Sequence, residues 1–214
     1  NSTSNVLFTT SLYIIGSVTM KVMDSMMKTP VSDMISRGPA GRAMAEPLSD
    51  DLLNALHAHL NMERKAHAAY FASAIWCAER ELKGFAKFFS GESKDEHEHA
   101  AHIGDYLISR GQTVKLHPLE APCQAWDSPA ELMATSFLME ADVTASLQQI
   151  YALAERNGDT RTTVFLDPLI DQQTQAENNF AHLLGRVRFA DNQAAALLLI
   201  DQELSQGQNQ PGTL

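Results

Sequence analysis

Glu96-His97-Glu98-His99 sets a carboxylate and an imidazole three residues apart, Glu96 to His99. On a helix that spacing puts both side chains on one face. Such a pair can bind one metal ion or flank two. The run from Glu92 to His99 is dense in charge, and most such runs are solvated helix faces, so the motif alone decides little. Other segments add weight. Glu63 falls in phase with the apolar ladder Leu56, Leu60 and Tyr70, and Tyr70, seven residues on, lies over Glu63 nearly two turns later. Glu140 stands among Phe137, Leu138, Met139, Val143 and Leu147. A carboxylate buried without a partner is costly and requires a cation or a proton. Gln173 and Glu177, four apart, share a face of a later helix. Carboxylates from three helices, one histidine and an amide or carboxylate from a fourth would converge on a dinuclear site. Hard oxygen donors with one imidazole suit iron or manganese better than copper, and do not resemble a closed zinc site.

The elements that must position these residues are helical almost throughout. Apolar periodicity and caps predict helices over 49–80, 82–110, 128–156 and 160–188, with a short fifth over 193–205. Ser49 reads as an N-cap, with Asp50 and Asp51 in the first turn. Gly111 reads as the residue just past the second helix. Ser128-Pro129-Ala130-Glu131 reads as a capping box with proline at the first helical position. Asn157-Gly158 ends the third helix, and Pro168 should kink the fourth near its start. The first two helices have almost no loop between them, nor have the third and fourth, so each pair is antiparallel. The connector over 112–127, about sixteen residues, is long enough to run back along the bundle. The expected fold is therefore all-α: a four-helix bundle with one long crossover and a short fifth helix.

Of the 214 residues, 44% are apolar and 20% charged, and the formal net charge is −10. The acidic balance argues against nucleic acid and favours cationic partners, metal ions included. There is no run of about 18 apolar residues, so a membrane-spanning helix is not expected. Cys77 and Cys123 form neither a disulfide framework nor a CxxC motif. Residues 1–41 read as an N-terminal extension, either a targeting segment or one that docks on the surface, with Arg37-Gly-Pro-Ala-Gly-Arg42 as a linker. Residues 42–207 form the bundle domain, and 208–214 a polar tail.

Taken together these stretches resemble the ferritins, and most closely the non-haem ferritins of cyanobacteria and algae. The resemblance is carried by Met62-Glu63 through Tyr70, AIWCAERELKGFAKFF (74–89), KDEHEHA (94–100), ATSFLMEADVTASLQ (134–148), YALAERNGDTRTTVFLDPLI (151–170) and FAHLLGRV (180–187). It implies a ferroxidase centre in each subunit that oxidises Fe²⁺ with O₂ and passes Fe³⁺ to a mineral, inside a homo-oligomeric 24-mer cage. Glu63 and His99 would bind one iron, Glu96 would bridge, and Glu140 would bind the second. Gln173 matches the family's glutamine beside the second iron, and Tyr70 its electron-donating tyrosine. Glu177 either serves a further iron or faces solvent. Asp167 matches an acidic residue of the channel that admits Fe²⁺, or is simply an acid near a helix start. Where bacterioferritins carry a second Glu-x-x-His, this chain has Gln173-Thr-Gln-Ala176, so haem is not expected. The leading segment resembles that of plastid-targeted ferritins, which implies the plastid stroma if the source is algal and the cytoplasm if it is cyanobacterial. The remaining histidines, His57, His59, His67, His102, His117 and His182, are expected at the surface or in ordinary packing. The competing reading is a ferritin-like di-iron oxidase or peroxidase without iron storage, which would need an apolar cavity beside the metals.

Overall fold

The computed structural model describes residues 31–208 and 211. Beyond a single 3₁₀ turn at Val31–Met34, the described residues form five helices: α1 (Asp50–Ala78), α2 (Lys83–Ser109), α3 (Pro129–Arg156), α4 (Thr160–Phe189) and α5 (Ala194–Gln206). Each lies within two residues of its expected bounds at both ends. α1 packs on α2, α3 on α4, α1 on α3, and α5 on the start of α2. Residues 1–30, most of the expected N-terminal extension, lie outside the described residues.

The caps explain the boundaries. α2 ends in a Schellman turn: Gly111 has φ +76°, its N–H bonds the Ile108 carbonyl at 3.0 Å, and the Gln112 N–H bonds that of Leu107 at 2.9 Å. Ser128 accepts from the Glu131 N–H at 3.2 Å. The return arm lands one residue early, because Glu131 Oε2 accepts from the Asp127 N–H at 2.6 Å. Ser49 occupies the N-cap position of α1 without capping through its side chain. Its hydroxyl instead donates to Asp51 and accepts from Asn157. At α4 the cap is Asp159, which accepts from the Thr162 N–H at 3.0 Å. α4 stays helical through Pro168. The carbonyl that the proline leaves without a donor belongs to Val164, which is exposed, so water can serve it.

The crossover is a strap laid along α1. A helix of 29 residues is about 43 Å long, and sixteen extended residues reach about 53 Å, enough to return along its length. Asn61 ties the strap down from both ends of its amide, donating to the Lys115 carbonyl at 3.0 Å and accepting from the His117 N–H at 2.9 Å. Arg64 bonds the His117 carbonyl at 2.8 Å. Trp126 meets Trp76 edge to face, with ring centroids 5.8 Å apart.

Arg37–Arg42, expected as a linker, is a closed turn. The Gly38 N–H bonds the Arg42 carbonyl and the Met44 N–H bonds that of Ser36, both at 2.8 Å. The turn presses on the end of α2, where a Cβ at Gly38 would sit 1.7 Å from the Gly111 oxygen.

The apolar core is two clusters. One gathers Tyr70, Phe85, Phe89, Leu132, Met133 and Phe180, and reaches α5 through Leu197, Ile200 and Leu204. The other gathers Leu52, Leu56, Leu60, Ile103, Leu107, Leu147, Ile150 and Leu166. Along every bundle helix the boundary between them falls at a buried polar residue: Glu63, Glu96, Glu140 and Gln173.

Candidate metal centre

That boundary is the site. Glu63 from α1 and Glu96 and His99 from α2 offer ligand atoms that all lie within 4.8 Å of one another. Both carboxylates are buried, and His99 is partly exposed. His99 Nδ1 stands 3.2 Å from Glu96 Oε2. From α3 comes Glu140, 1% exposed. Tyr70, fully buried, donates its hydroxyl to Glu140 Oε1. Gln173 on α4 donates to Glu140 Oε2 at 2.8 Å and to the Glu140 carbonyl at 3.1 Å.

The electrostatics are those of carboxylates crowded into a dry layer. Burial pushes the Glu96 carboxyl up to about 7. Burial and the nearby Glu96 push Glu140 up to about 7 as well. Burial raises Glu63, and raises the Tyr70 phenol well above its ordinary value. The Glu96 hydrogen bond lifts the His99 imidazole to about 9. Burial in this layer disfavours the charged form of each carboxylate, and a divalent ion bound among them would favour it.

Arg110 fixes the far ends of the two helices that flank the site. Its guanidinium grips Asp159, at the head of α4, through two bonds of 2.7 and 3.0 Å, and Thr162 Oγ1 through a third. Below that clamp a groove of about 590 Å³ opens between α2 and α4, reaching Glu96 and His99 past Glu92, Asp95, Glu98 and Gln172. A second cavity of about 480 Å³ lies between α1, α3 and the strap. Its lining includes Met62, Ala66, Met139 and Val143, all sequence neighbours of Glu63 or Glu140, together with Cys123 and Trp126.

Glu177, expected either to serve a further iron or to face solvent, and Asp167, expected in an entry channel, are not among the clustered ligand atoms. Glu177 is turned toward α3, where Thr144 Oγ1 donates to it. Asp167 is exposed and hydrogen-bonds Tyr151. Two residues near the cluster were not expected to belong to it. His59 is 1% exposed, with Nε2 3.0 Å from Glu63 Oε1 and Nδ1 2.9 Å from Ser146 Oγ. Burial pushes its imidazole down to about 4. His59 precedes Glu63 by four residues, the one sequence signal that puts both on one face. Glu92 is the second, partly buried in the groove, its carboxyl pushed up to about 8 by burial and by Glu140.

An antiparallel bundle with one long crossover, whose facing helices send carboxylates and a Glu-x-x-His inward at mid-height, defines the class of ferritin-like metal-binding bundles. The profile of the Ferritin-like domain family matches residues 53–190. A bacterial non-heme ferritin of Staphylococcus epidermidis is 33% identical over 159 residues, 74% of this chain and 95% of that protein. The corresponding protein of Staphylococcus haemolyticus is 30% identical over 158 residues, with the same shares. The open-pore ferritin of the archaeon Archaeoglobus fulgidus superposes with a TM-score of 0.72 at 28% identity, over 74% of this chain and 96% of that one. The chain belongs to the ferritin family, and the two staphylococcal relatives bear the name non-heme ferritin.

Proposed function

We propose that the protein is an iron-storage ferritin whose subunit is a ferroxidase. Two Fe²⁺ ions are the substrates bound in the polar layer. Glu63 and His99 hold the first, Glu96 bridges, and Glu140 holds the second. Each ion gives up one electron, O₂ takes up both with two protons from solvent and leaves as hydrogen peroxide, and the Fe³⁺ formed moves to a mineral inside a homo-oligomeric cage. The protein supplies geometry and charge, while the metal supplies the redox chemistry. Gln173 and Tyr70 orient Glu140. The observation that carries this reading is the meeting of Glu63, Glu96 and His99 ligand atoms within 4.8 Å in a buried layer, with Glu140 held in the same layer by Tyr70 and Gln173.

The cavity of about 480 Å³ beside Met62 and Met139 favours one competing reading, a di-iron oxidase acting on an apolar organic substrate. Aerobic addition of Fe²⁺ to the apoprotein, followed by size-exclusion chromatography with iron analysis, separates the two. Rapid oxidation of two irons per subunit, with further iron co-eluting in a very large particle, supports the storage ferroxidase. Two bound irons on a small oligomer without mineral supports the oxidase instead.

A further inference from the structure

We infer that His59 and Glu63 hold an additional divalent cation on the α1–α3 side of the metal centre, with Glu63 bridging to the ion bound by Glu96 and His99. The inference rests on reading Glu63, Glu96 and His99 as metal ligands, and extends that centre by a ligand and an ion.

His59 and Glu63 are both more than nine-tenths buried. Their facing atoms, Nε2 and Oε1, stand 3.0 Å apart. That would suit a hydrogen bond, yet the ring is not aimed along it: His59 Nε2 has no hydrogen-bond partner, and neither has Glu63 Oε2. Leaving two such atoms unpaired in a dry interior is costly. A cation satisfies both. Two donors bound at right angles to one ion, each about 2.1 Å from it, are separated by about 3.0 Å. A carboxylate has two oxygens, so Glu63 can turn one toward His59 and the other toward the Glu96–His99 ion.

The other ring nitrogen is already placed as in a metal-bound histidine. Ligating imidazoles commonly give their second N–H to an oxygen that fixes the tautomer and the ring. His59 Nδ1 has such a partner in Ser146 Oγ, 2.9 Å away on α3. With the proton on Nδ1, Nε2 presents its lone pair beside the Glu63 carboxylate. That arrangement is repulsive without a cation and favourable with one.

Zn²⁺ is the probe, since it binds imidazole and carboxylate and does not change oxidation state. Crystals of the full-length protein soaked in Zn²⁺ should give an anomalous peak about 2.1 Å from His59 Nε2, in contact with Glu63 and additional to the density at Glu96 and His99. In equilibrium dialysis, His59→Gln should bind one Zn²⁺ fewer per subunit. Ser146→Ala, which frees the ring but keeps it, should weaken that one ion by about tenfold or more. Density at Glu96–His99 with none at His59 overturns the inference and leaves the metal centre standing. Absence of density at both places overturns the two together. The wild-type crystal decides the matter even if His59→Gln does not fold.

Discussion

The Tyr70 hydroxyl and the Gln173 amide divide the Glu140 carboxylate between them, the first bonded to Oε1 and the second to Oε2. One carboxylate on α3 thus ties α1 to α4 through the middle of the bundle. A second iron bound by Glu140 must displace or share at least one of these donors. The ferroxidase reading therefore predicts a strong response to loss of this side chain.

Glu140→Ala should slow aerobic iron oxidation by about tenfold or more, read by stopped-flow absorbance. It also strips the Tyr70 hydroxyl of its acceptor in a dry core, at a cost of about 1–3 kcal/mol in chemical denaturation. An unchanged oxidation rate would remove Glu140 from the ligand set.

Tyr70→Phe separates orientation from packing. The ring stacks on Phe180 with centroids 5.4 Å apart, and that contact survives the change. Stability should fall by no more than about 1–2 kcal/mol, while oxidation slows severalfold. Equal loss of both would make Tyr70 a purely structural residue.

The raised carboxyls and the raised imidazole set a pH dependence with a definite sign. Glu96 and Glu140 titrate near 7 in the fold rather than near 4.5, and His99 near 9 rather than 6.5. Folding strength from such groups is complete below their ordinary values and is lost as pH climbs through the folded ones. The metal-free protein should therefore melt at a lower temperature at pH 8 than at pH 5.5, with saturating Zn²⁺ cancelling the trend. Metal binding should release protons and tighten between pH 6 and 8, which calorimetry in buffers of different ionisation enthalpy would show. A metal-free melting temperature that rises over this interval would contradict the assignment.

α5 is held by a contact that leaves no room for a side chain. The Phe85 N–H in the first turn of α2 donates to Asp201 Oδ1 at 2.9 Å, and a Cβ at Gly84 would fall 1.8 Å from the Asp201 carbonyl oxygen. Gly84→Ala should displace α5, and Asp201→Ala should cost about 1–3 kcal/mol by leaving a buried N–H unpaired. Thermal denaturation and particle size by light scattering would report both. A Gly84→Ala protein with unaltered melting would refute the docking argument.

Much of the fold was legible because its signals are local. The Ser128–Glu131 start, the Gly111 stop and the Asn157-Gly158 end each involve residues within a turn of one another, where side chain and backbone meet whatever the rest of the chain does. Ser49 shows the limit, since its hydroxyl is drawn off by Asn157, 108 residues away. Glu63 and Glu140 could be read because a carboxylate in an apolar ladder needs a reason. His59 was expected in ordinary packing, because a histidine in such a ladder is unremarkable until Ser146, 87 residues on, is seen against its ring. Glu177 shared a face with Gln173 as its spacing required, but Thr144 turned it to a neighbour that helical periodicity cannot reveal.

The contact between Gly38 and Gly111 bears on where the chain tolerates a cut. The Arg37–Arg42 turn is hydrogen-bonded within itself, and buried Gly38 is seated on the last turn of α2, with Met44 behind it. A protease acting on the folded protein can cut upstream of Ser36 without touching this plug. A cut within it would uncover the Schellman turn and loosen the helix that carries Glu96 and His99. Limited proteolysis of the folded protein, with the new N-termini read by mass spectrometry, should therefore give stable products that begin before residue 36, so that the plug travels with the bundle.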